Sequence, residues 1–507
     1  MTLVRFDTVT DGIAVNLGTT NGADVYVTQD TLVASTGSFT IFGASTSTGQ
    51  IATIAGEVVA SSNRIAVAML GDLTSITVTE TGQIGSVRDY GVYMNSNALL
   101  NNAGTISGLI SVRIGDGLLI NSGTIMTSGF QSFPRDAIQK DGSGALHLVN
   151  TGLISSAANA LAFTSGTTES QVENYGTMVG NISFVGADAG GTILNAGLLA
   201  GDIDASAVEV QLTNSGEITG AYIGSSRADF IINSGSITGD VDLGRDDDTY
   251  LGKGIGTASH VSGGTGEDTL KGGNLDDSFD GGDGADILKG WGGNDMLLGG
   301  ISDDMIYGNQ GRDTLSGGTG LDMLDGGAGD DALDGDADND RLYGRAGADH
   351  LEGGLGDDAL YGGADDDQLD GQSGNDLLNG GSGNDVLSGG SNRDTLLGGR
   401  GDDALFGGNG RDILNGNQGD DSLSGGASED IFVFGRHAGN DIVQDFENNI
   451  DMLDFSAYDA GSVAALKTAA TDVAGGVLFD LAVLGGIGTV LIEDISRSDL
   501  TGLDLII

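Results

Sequence analysis

The sequence predicts an all-β protein: a parallel β-solenoid (β-helix), then a parallel β-roll, then a small β-rich C-terminal cap. Two sets of internal repeats carry this prediction. Residues 263–433 divide into nineteen consecutive nonapeptides without insertion or deletion, and residues 1–243 repeat a short Asn- and Gly-containing phrase at intervals of 19 to 29 residues. Composition agrees, because 92 glycines, 1 proline and 5% aromatic residues among 507 fit stacked repeats better than a conventional core.

The region 1–243 is predicted to form the solenoid. Its phrase reads Asn, a small residue, Gly, any residue, then an aliphatic residue, with looser copies at 56–58 and 82–84. Strand-like segments rich in Thr, Val and Ile, such as 75–79, lie between the phrases. The asparagines indicate either a ladder of side-chain amides or left-handed turns. They are Asn102, Asn121, Asn150, Asn174, Asn195, Asn214 and Asn233.

This phrase resembles that of the β-helical repeats in secreted bacterial autotransporter passengers and adhesins. The resemblance implies an architecture and a surface, adhesion or matrix role, and cell-surface or matrix polysaccharide as a partner class. One interval, from Gly123 to Gly152, is 29 residues long and predicts an extruded loop. A tolerated surface insertion is the favoured interpretation of this loop, ahead of a binding site. The loop segment contains Phe130, Phe133, Pro134, Arg135, Asp136, Lys140, Asp141 and His147.

Residues 244–262 form a junction between the two repeat regions. They open with a degenerate nonapeptide at 244–252 that stands two residues out of frame with the later repeats. We interpret the junction as a transitional coil in which Asp248 contributes to a partial site. A flexible acidic linker is the alternative.

The nonapeptides of residues 263–433 follow the pattern GGxGxDxUx, where U is bulky and apolar. The first position is Gly and the sixth is Asp in every unit, and the eighth is always Leu, Ile or Phe. The first six residues are expected to form a turn, because glycine allows positive φ and close backbone approach. The last three are expected to form a short strand with U facing inward, so that two units make one coil of eighteen residues.

Stacking such coils about 4.8 Å apart places aspartates that are eighteen residues apart directly above one another. Two carboxylates at about 5 Å repel by about 3 kcal/mol at an effective dielectric of 20, so the columns require a cation. Oxygen-only ligands select a hard cation, and a flexible cage of many oxygens suits Ca²⁺ better than Mg²⁺. The chain has no Cys, and His350 alone of the four histidines lies in the array, which argues against zinc or copper.

The array resembles the RTX (repeats-in-toxin, hemolysin-type) calcium-binding parallel β-roll. The resemblance implies multiple Ca²⁺ ions, held between successive turns by glycine carbonyls and the sixth-position aspartates. Units with Leu275, Ser302 or Ser428 at the fourth position are expected to be the weakest sites. The implied ligands are Asp268, Asp277, Asp286, Asp295, Asp304, Asp313, Asp322, Asp331, Asp340, Asp349, Asp358, Asp367, Asp376, Asp385, Asp394, Asp403, Asp412, Asp421 and Asp430.

Residues 434–507 are predicted to form a β-rich cap that closes the roll, with one short helix at 462–472. This tail resembles the C-terminal cap and secretion signal of RTX proteins, which implies export by a type I system. The N-terminal MTLVRFDTVTDG lacks the apolar run of a signal peptide, and no segment predicts a membrane span. The predicted location is therefore extracellular, and the net charge of -53 argues against nucleic-acid partners.

The predicted function is non-enzymatic: a secreted calcium-binding protein with the solenoid as a surface, adhesion or matrix element. The four histidines do not form the HExxH motif of serralysin-type proteases, and GxSxG does not occur. The alternative is a polysaccharide-modifying enzyme, epimerase-like or lyase-like, with its site on the N-terminal β-helix. Its candidate acid–base set is Asp136, Lys140, Asp141 and His147.

Overall fold

The structure is a computed structural model that describes residues 8–9, 15–16, 24–27, 32–35, 39–43, 49–60, 65–71, 74–87, 89–127, 135–184, 186–187, 189–458, 463–500 and 505–506. The chain forms two compact units, Met1–Thr265 and Gly266–Ile507, here the N-terminal and C-terminal units. Almost every element in both is a β-strand, which confirms the predicted all-β class. Within the described ranges, no helix is long and apolar enough to cross a membrane.

The N-terminal unit is a parallel β-solenoid with three strands in each complete coil. Each strand pairs in parallel with the equivalent strand of the next coil, as Leu100 pairs with Leu119 and Ile106 with Ile125. The side chains at these positions are buried and fill the interior. The number of strands per coil was not predicted from the phrase.

The strands of this unit form three columns. The first contains Asp24–Val27, Ile51–Ile54, Ser75–Val78, Ala98–Asn102, Gly117–Asn121, Leu146–Asn150, Ser170–Asn174, Gly191–Asn195, Val210–Asn214, Phe230–Asn233 and Thr249–Gly252. The second contains Thr8–Val9, Leu32–Ser35, Glu57–Ala60, Gln83–Ser86, Thr105–Gly108, Thr124–Thr127, Leu198–Ala200, Glu217–Ile218, Ser236–Ile237 and Thr257–Ala258. The third contains Val15–Asn16, Phe39–Gly43, Ile65–Met69, Tyr90–Met94, Ile110–Ile114, Ile138–Lys140, Ile203–Asp204, Tyr222–Ser225, Val241–Arg245 and Val261–Thr265. Two long strands, Leu153–Phe163 and Thr177–Ser183, take part in both the second and third columns.

The repeated asparagines form a buried ladder at the end of the first column. Nδ2 of Asn121 donates to Oδ1 of Asn150 at 2.7 Å, and Nδ2 of Asn150 donates to Oδ1 of Asn174 at 2.8 Å. The same bond links each neighbouring pair from Asn102 to Asn233. The structure therefore has the amide ladder rather than the left-handed turns, because each side chain satisfies its buried neighbour.

The glycine of each phrase allows the coils to stack closely. A Cβ atom placed on Gly123 would lie 2.1 Å from the carbonyl oxygen of Gly104 in the preceding coil. The long interval after Gly123 contains the strands Thr124–Thr127 and Ile138–Lys140. The predicted loop residues Phe130, Phe133 and Pro134 lie outside the described residues.

The junction residues are part of the N-terminal unit. Strand Thr249–Gly252 pairs with Phe230–Asn233, and Val261–Thr265 pairs with Val241–Arg245. The flexible-linker alternative therefore does not describe these residues. The four-part division into 1–243, 244–262, 263–433 and 434–507 remains a prediction.

The C-terminal unit is a parallel β-roll built from two sheets. Paired residues in the array are eighteen apart, as Leu288 pairs with Ile306, which is the predicted coil. The first sheet contains Thr269–Lys271, Ile287–Gly292, Met305–Gln310, Met323–Ala328, Arg341–Ala346, Ala359–Ala364, Leu377–Ser382, Thr395–Arg400, Ile413–Gln418, Ile431–Val433, Met452–Asp454 and Leu505–Ile506. The second contains Ser278–Asp283, Met296–Ile301, Thr314–Thr319, Ala332–Ala337, His350–Leu355, Gln368–Ser373, Val386–Ser391, Ala404–Asn409, Ser422–Ala427, Gly439–Val443, Ala470–Val473, Gly476–Asp480 and Gly488–Glu493.

The strands of the roll are longer than predicted, and the turns are shorter. Most have six residues, the last three of one nonapeptide and the first three of the next, as in Met323–Ala328. The expectation that all of the first six residues form a turn was therefore wrong. Glycine is a poor strand former in isolation, but the stacked coils pair these residues across each sheet. Only the fourth to sixth positions remain to turn the chain.

The cap closes the roll with aromatic packing. The ring of Phe455 lies 5.2 Å from that of Phe434 and 5.1 Å from that of Phe479, and all three are buried. The helix predicted for 462–472 is present as Val463–Ala469, followed at once by strand Ala470–Val473. A short 3-10 helix, Leu481–Leu484, precedes the last long strand.

Candidate metal centre

The sixth-position aspartates line the turns of the roll in two columns. Each strand begins directly after its aspartate, so the carboxylate is held at the point where the chain enters the sheet. All nineteen side chains are buried, with at most 5% of any residue exposed. Charged side chains are rarely buried to this degree unless they are paired or bind a metal.

One oxygen of each aspartate from Asp286 to Asp430 accepts a hydrogen bond from the neighbouring coil. The N–H of Asp322 donates to Oδ1 of Asp340 at 2.8 Å, and the N–H of Asp340 donates to Oδ1 of Asp358 at 2.8 Å. The same bond, at 2.7 to 2.9 Å, runs through both columns from Asp268 to Asp430. These bonds orient the carboxylates from Asp286 to Asp430 in the same way.

The other oxygen, Oδ2, has no hydrogen-bond donor within the described part of the chain. This holds for every sixth-position aspartate from Asp286 to Asp430, and each of these atoms is buried. Asp277 differs, because its Oδ2 accepts the N–H of Gly273 at 2.8 Å. A buried carboxylate oxygen without a partner is costly, so a row of them indicates a ligand that the protein itself does not supply.

The invariant first glycine makes room for this oxygen. A Cβ atom placed on Gly281 would lie 2.4 Å from Oδ2 of Asp286 and 2.6 Å from the carbonyl oxygen of Gly299. The relation recurs along the array, as at Gly335, where the distance to Oδ2 of Asp340 is 2.6 Å. Carboxylate and main-chain carbonyl oxygens therefore meet beside the same glycine.

The surroundings of the carboxyls disfavour their negative charge. Burial raises the pKa of Asp286 and Asp295 to about 7 and that of Asp304, Asp340 and Asp367 to about 8. Backbone hydrogen bonds oppose this increase, and neighbouring aspartates in the column add to it. A positive ion among the Oδ2 atoms would stabilise the charged carboxylates and lower these pKa values.

The donor set fits a hard cation bound by oxygen. Among the described residues, no three Asp, Glu or His side chains are close enough together to hold a metal ion by themselves. The aspartates would therefore need main-chain carbonyls from the glycine turns to complete a coordination shell. Six to eight oxygen ligands in flexible geometry are typical of Ca²⁺.

The three units expected to be weakest differ from one another. Ser302 and Ser428 take left-handed φ angles of 88° and 102°, as the consensus glycine does. Leu275 does not adopt a positive φ, and its unit contains the Asp277 that hydrogen-bonds to Gly273. The geometry therefore singles out the Leu275 unit, because a β-carbon is tolerated at left-handed φ more readily on a small polar residue than on leucine.

Two further aspartates continue the columns past the nonapeptides. The N–H of Asp421 donates to Oδ1 of Asp441 at 3.2 Å, and that of Asp430 donates to Oδ1 of Asp451 at 3.0 Å. Both are 2% exposed. The nonapeptide period did not predict them, because their spacing is 20 and 21 residues rather than 18. A signal was present for Asp441, which lies in Gly-x-Asp-x-aliphatic at 439–443.

The N-terminal unit also contains buried aspartates with this hydrogen-bond pattern. The N–H of Asp229 donates to Oδ1 of Asp248 at 2.6 Å, and Oδ1 of Asp229 accepts the N–H of Val210 at 2.6 Å. Asp248, expected to contribute to a partial site, is 1% exposed. Asp229 was not foreseen, since the segment around it matches the nonapeptide only at Gly224, Asp229 and the buried Ile231.

The four residues of the alternative acid–base set each interact with a different partner. Asp136 accepts from Asn159, Lys140 is buried and donates to the carbonyl oxygen of Gly142, and Asp141 pairs with Arg113. His147 hydrogen-bonds to Glu173 on the first strand column, at 2.9 Å. Each of the four has a different hydrogen-bond partner, so the structure offers no support for one shared acid–base site.

The fold and this centre define a parallel β-roll with oxygen-donor columns between its coils. Comparison with known families agrees: residues 262–297, 298–333, 334–369, 370–405 and 406–443 each match the RTX calcium-binding nonapeptide repeat (4 copies). This segment of the chain therefore consists of RTX repeats, whose family binds Ca²⁺ at multiple sites. The chain finds no match among curated proteins.

Proposed function

We propose that this protein is a secreted calcium-binding protein whose roll folds when Ca²⁺ binds outside the cell. The buried Oδ2 atoms from Asp286 to Asp430 carry the proposal, because they have no hydrogen-bond donor among the residues that the structure describes. An ion that binds only the folded state stabilises it by an amount that grows with the logarithm of the ion's concentration divided by its dissociation constant. Inside a cell, where free calcium is scarce, the same columns would oppose folding.

The proposed ligands are the nineteen sixth-position aspartates, together with Asp441 and Asp451 at the end of the columns. From Asp286 to Asp430, Oδ2 would bind the ion while Oδ1 keeps its hydrogen bond to the neighbouring coil. Asp277 and Asp451 differ, because Oδ2 of each already accepts a backbone N–H. Main-chain carbonyls of the glycine turns would complete each site. The Leu275 unit is proposed to bind most weakly.

Circular dichroism during a calcium titration tests this function. In EGTA we expect the C-terminal unit to be largely disordered, and millimolar calcium should restore its β-sheet signal. Magnesium at the same concentration is the control and should restore much less, because it holds its waters and requires stricter octahedral geometry. A roll that is fully folded in EGTA would contradict the proposal.

The N-terminal solenoid is proposed to be a surface, adhesion or matrix element without enzymatic activity, with cell-surface or matrix polysaccharide as its partner class. The separate hydrogen bonds of Asp136, Lys140, Asp141 and His147 support this over a carbohydrate-active enzyme. A glycan array probed with the calcium-loaded chain, and with a chain truncated after Thr265, locates the binding region.

Export is proposed to use a type I secretion system, through residues 434–507. The likeness of this tail to RTX secretion signals supports the proposal, and its closed aromatic cap gives it a second, structural role. Deleting about the last sixty residues should stop export from a host that carries the transporter, measured as protein in the medium. Undiminished secretion of the truncated chain would exclude this route.

A further inference from the structure

The two outer faces of the array differ sharply in charge. On the second sheet, the strands from Ser278–Asp283 to Ser422–Ala427 contain no Lys or Arg, and they carry Asp280, Asp283, Asp334, Asp336, Glu352 and Asp370. The first sheet, from Thr269–Lys271 to Ile431–Val433, has a single such acidic residue, Asp325. It carries Lys271, Lys289, Arg341, Arg345 and Arg400. In a chain with net charge -53, one face of the roll is therefore cationic.

Aromatic side chains follow the same division. Trp291, Tyr307, Tyr343 and Tyr361 point outward on the first sheet, whereas the second sheet has only Phe406 in the same range. Trp291 is 55% exposed and occupies a left-handed position, φ 74°, where most units have glycine. A bulky residue is strained at that φ, and its exposed ring contributes nothing to the core.

These side chains form two rows along the roll axis. Lys289, Tyr307, Asp325, Tyr343 and Tyr361 are successive neighbours in the sheet. Beside this row runs a second one, of Trp291, Asn309, Gly327 and Arg345. Gly327 has no side chain, so an open groove of about 730 Å³ lies between Trp291, Tyr307, Asn309, Gln310 and Asp325.

Contacts within the rows hold the rings in place. Nζ of Lys289 lies 4.5 Å from the ring centre of Tyr307, and the Arg345 guanidinium lies 4.7 Å from that of Tyr343. Arg345 also donates to Asp325 at 2.7 Å. The rings of Tyr343 and Tyr361 stack 5.1 Å apart. A surface ordered in advance loses less entropy when a ligand binds.

We propose that this groove on the first sheet of the roll binds an extended, uronate-bearing polysaccharide. The exposed Trp291 and half-buried Tyr307 rings provide flat apolar surfaces for sugar C–H groups, and Asn309 and Gln310 provide amide hydrogen bonds. Lys289 and Arg341, on the same face beside the groove, attract carboxylates. The proposal goes beyond the proposed function, which assigns recognition to the solenoid. It rests on that function in one respect: if calcium folds the roll, the groove forms in the calcium-loaded protein.

The test compares variants of the two faces in the full chain. Trp291→Gly with Tyr307→Asn removes both rings in favour of residues that other units carry at these positions, so the roll is expected to fold. Phe406→Ser is the matched control, because it removes an exposed ring from the second sheet, where Ser388 and Ser424 are its neighbours. Lys289→Gln removes one positive charge beside the groove, where Nζ of Lys289 contacts the ring of Tyr307.

Affinity electrophoresis in millimolar calcium would use hyaluronan as the uronate polymer and dextran as its neutral counterpart. The unmodified chain and Phe406→Ser should bind hyaluronan and not dextran. Losing two stacking rings should weaken binding about tenfold or more. Lys289→Gln should weaken it less and reduce its salt dependence.

Three results would overturn the proposal: no hyaluronan binding by a folded chain, equal binding of dextran, or equal loss in Phe406→Ser. Sedimentation tests the alternative that a second copy of the chain covers this face. If the chain self-associates and the Trp291→Gly, Tyr307→Asn double variant does not, the occupant is a second copy and the polysaccharide proposal is wrong. Circular dichroism of each variant separates these outcomes from failure of the calcium-dependent fold. A roll that folds with calcium but ignores hyaluronan refutes the groove alone.

Discussion

At the sixth position of each nonapeptide, the two oxygens of one carboxylate have different roles. Oδ1 of Asp340 accepts the N–H of Asp322, while Oδ2 is buried beside Gly335 without a donor among the described residues. The first oxygen links neighbouring coils, and the second is proposed to bind a cation. The strict repeat of Asp indicates these ligands, and their assignment stays a prediction. The repeat could not predict the hydrogen bond, because that bond joins residues in different coils.

Replacing Asp340 with asparagine should separate these two roles. The amide oxygen can still accept the N–H of Asp322, but the Nδ2 group carries hydrogens and cannot bind Ca²⁺. We expect fewer bound calcium ions per chain and a loss of about 2 kcal/mol of stability in calcium, the scale of one contact with a charged group. Calorimetric titration and thermal unfolding measure both effects.

Asp370→Asn is the matched control for this change. Asp370 belongs to the same array but lies at the ninth position, on the outer face of the second sheet. Calcium stoichiometry and unfolding temperature should both stay unchanged in this variant. If Asp340→Asn behaved in the same way, the sixth-position assignment would be refuted.

Each strand of the roll shows how stacking changes the local preference of its residues. Six residues form a strand although up to two of them are glycines, because both neighbouring coils supply hydrogen-bond partners. The eighth-position side chain of each strand fills the interior. The periodicity correctly predicted the coil and its buried side. The periodicity underestimated the length of the strands, since glycine's preference for turns is a property of the isolated chain.

Acid should partly substitute for calcium in folding these elements. Burial raises the pKa of Asp286 to about 7 and that of Asp304 to about 8 in the folded roll, above the value of about 3.9 for an unfolded aspartate. Carboxyls with a raised folded pKa stabilise the fold below the unfolded pKa, and the effect is lost as pH rises through the folded values. In EGTA, circular dichroism should therefore show more β-sheet as the pH falls from about 8 to about 5.

The same acidification in saturating calcium provides the control. Calcium already neutralises the columns there, so we expect the β-sheet signal to be high at the upper pH and to gain little at the lower one. If the calcium-free protein stays disordered across this pH range, protonation of the aspartates does not remove the repulsion within the columns.

The two units of the chain are stabilised by different kinds of interaction. The N-terminal unit contains a neutral ladder of asparagines, in which Asn121 donates to Asn150 and Asn150 donates to Asn174 without a counter-ion. The C-terminal unit contains the nineteen aspartates and their two extensions, Asp441 and Asp451. Loss of calcium should therefore affect the two units unequally.

Limited proteolysis in calcium and in EGTA measures this difference. With calcium, both units should resist cleavage. In EGTA, we expect rapid cleavage after residue 266 and a protected fragment that ends near Thr265, identified by mass spectrometry. Equal cleavage of the two units in EGTA would show that the solenoid also depends on calcium.

The sequence by itself determined the repeats, the eighteen-residue coil, the buried apolar positions, the sixth-position aspartates and the preference for Ca²⁺, because a strict period places identical residues in identical surroundings. Only the tertiary structure decided features that depend on contacts between coils. These are the three strands per coil in the N-terminal unit, the ladder role of its asparagines, the unpartnered Oδ2 atoms, the addition of Asp441 and Asp451, and the cationic aromatic face. Local periodicity specifies which residues recur, whereas stacking specifies which atoms of different coils meet.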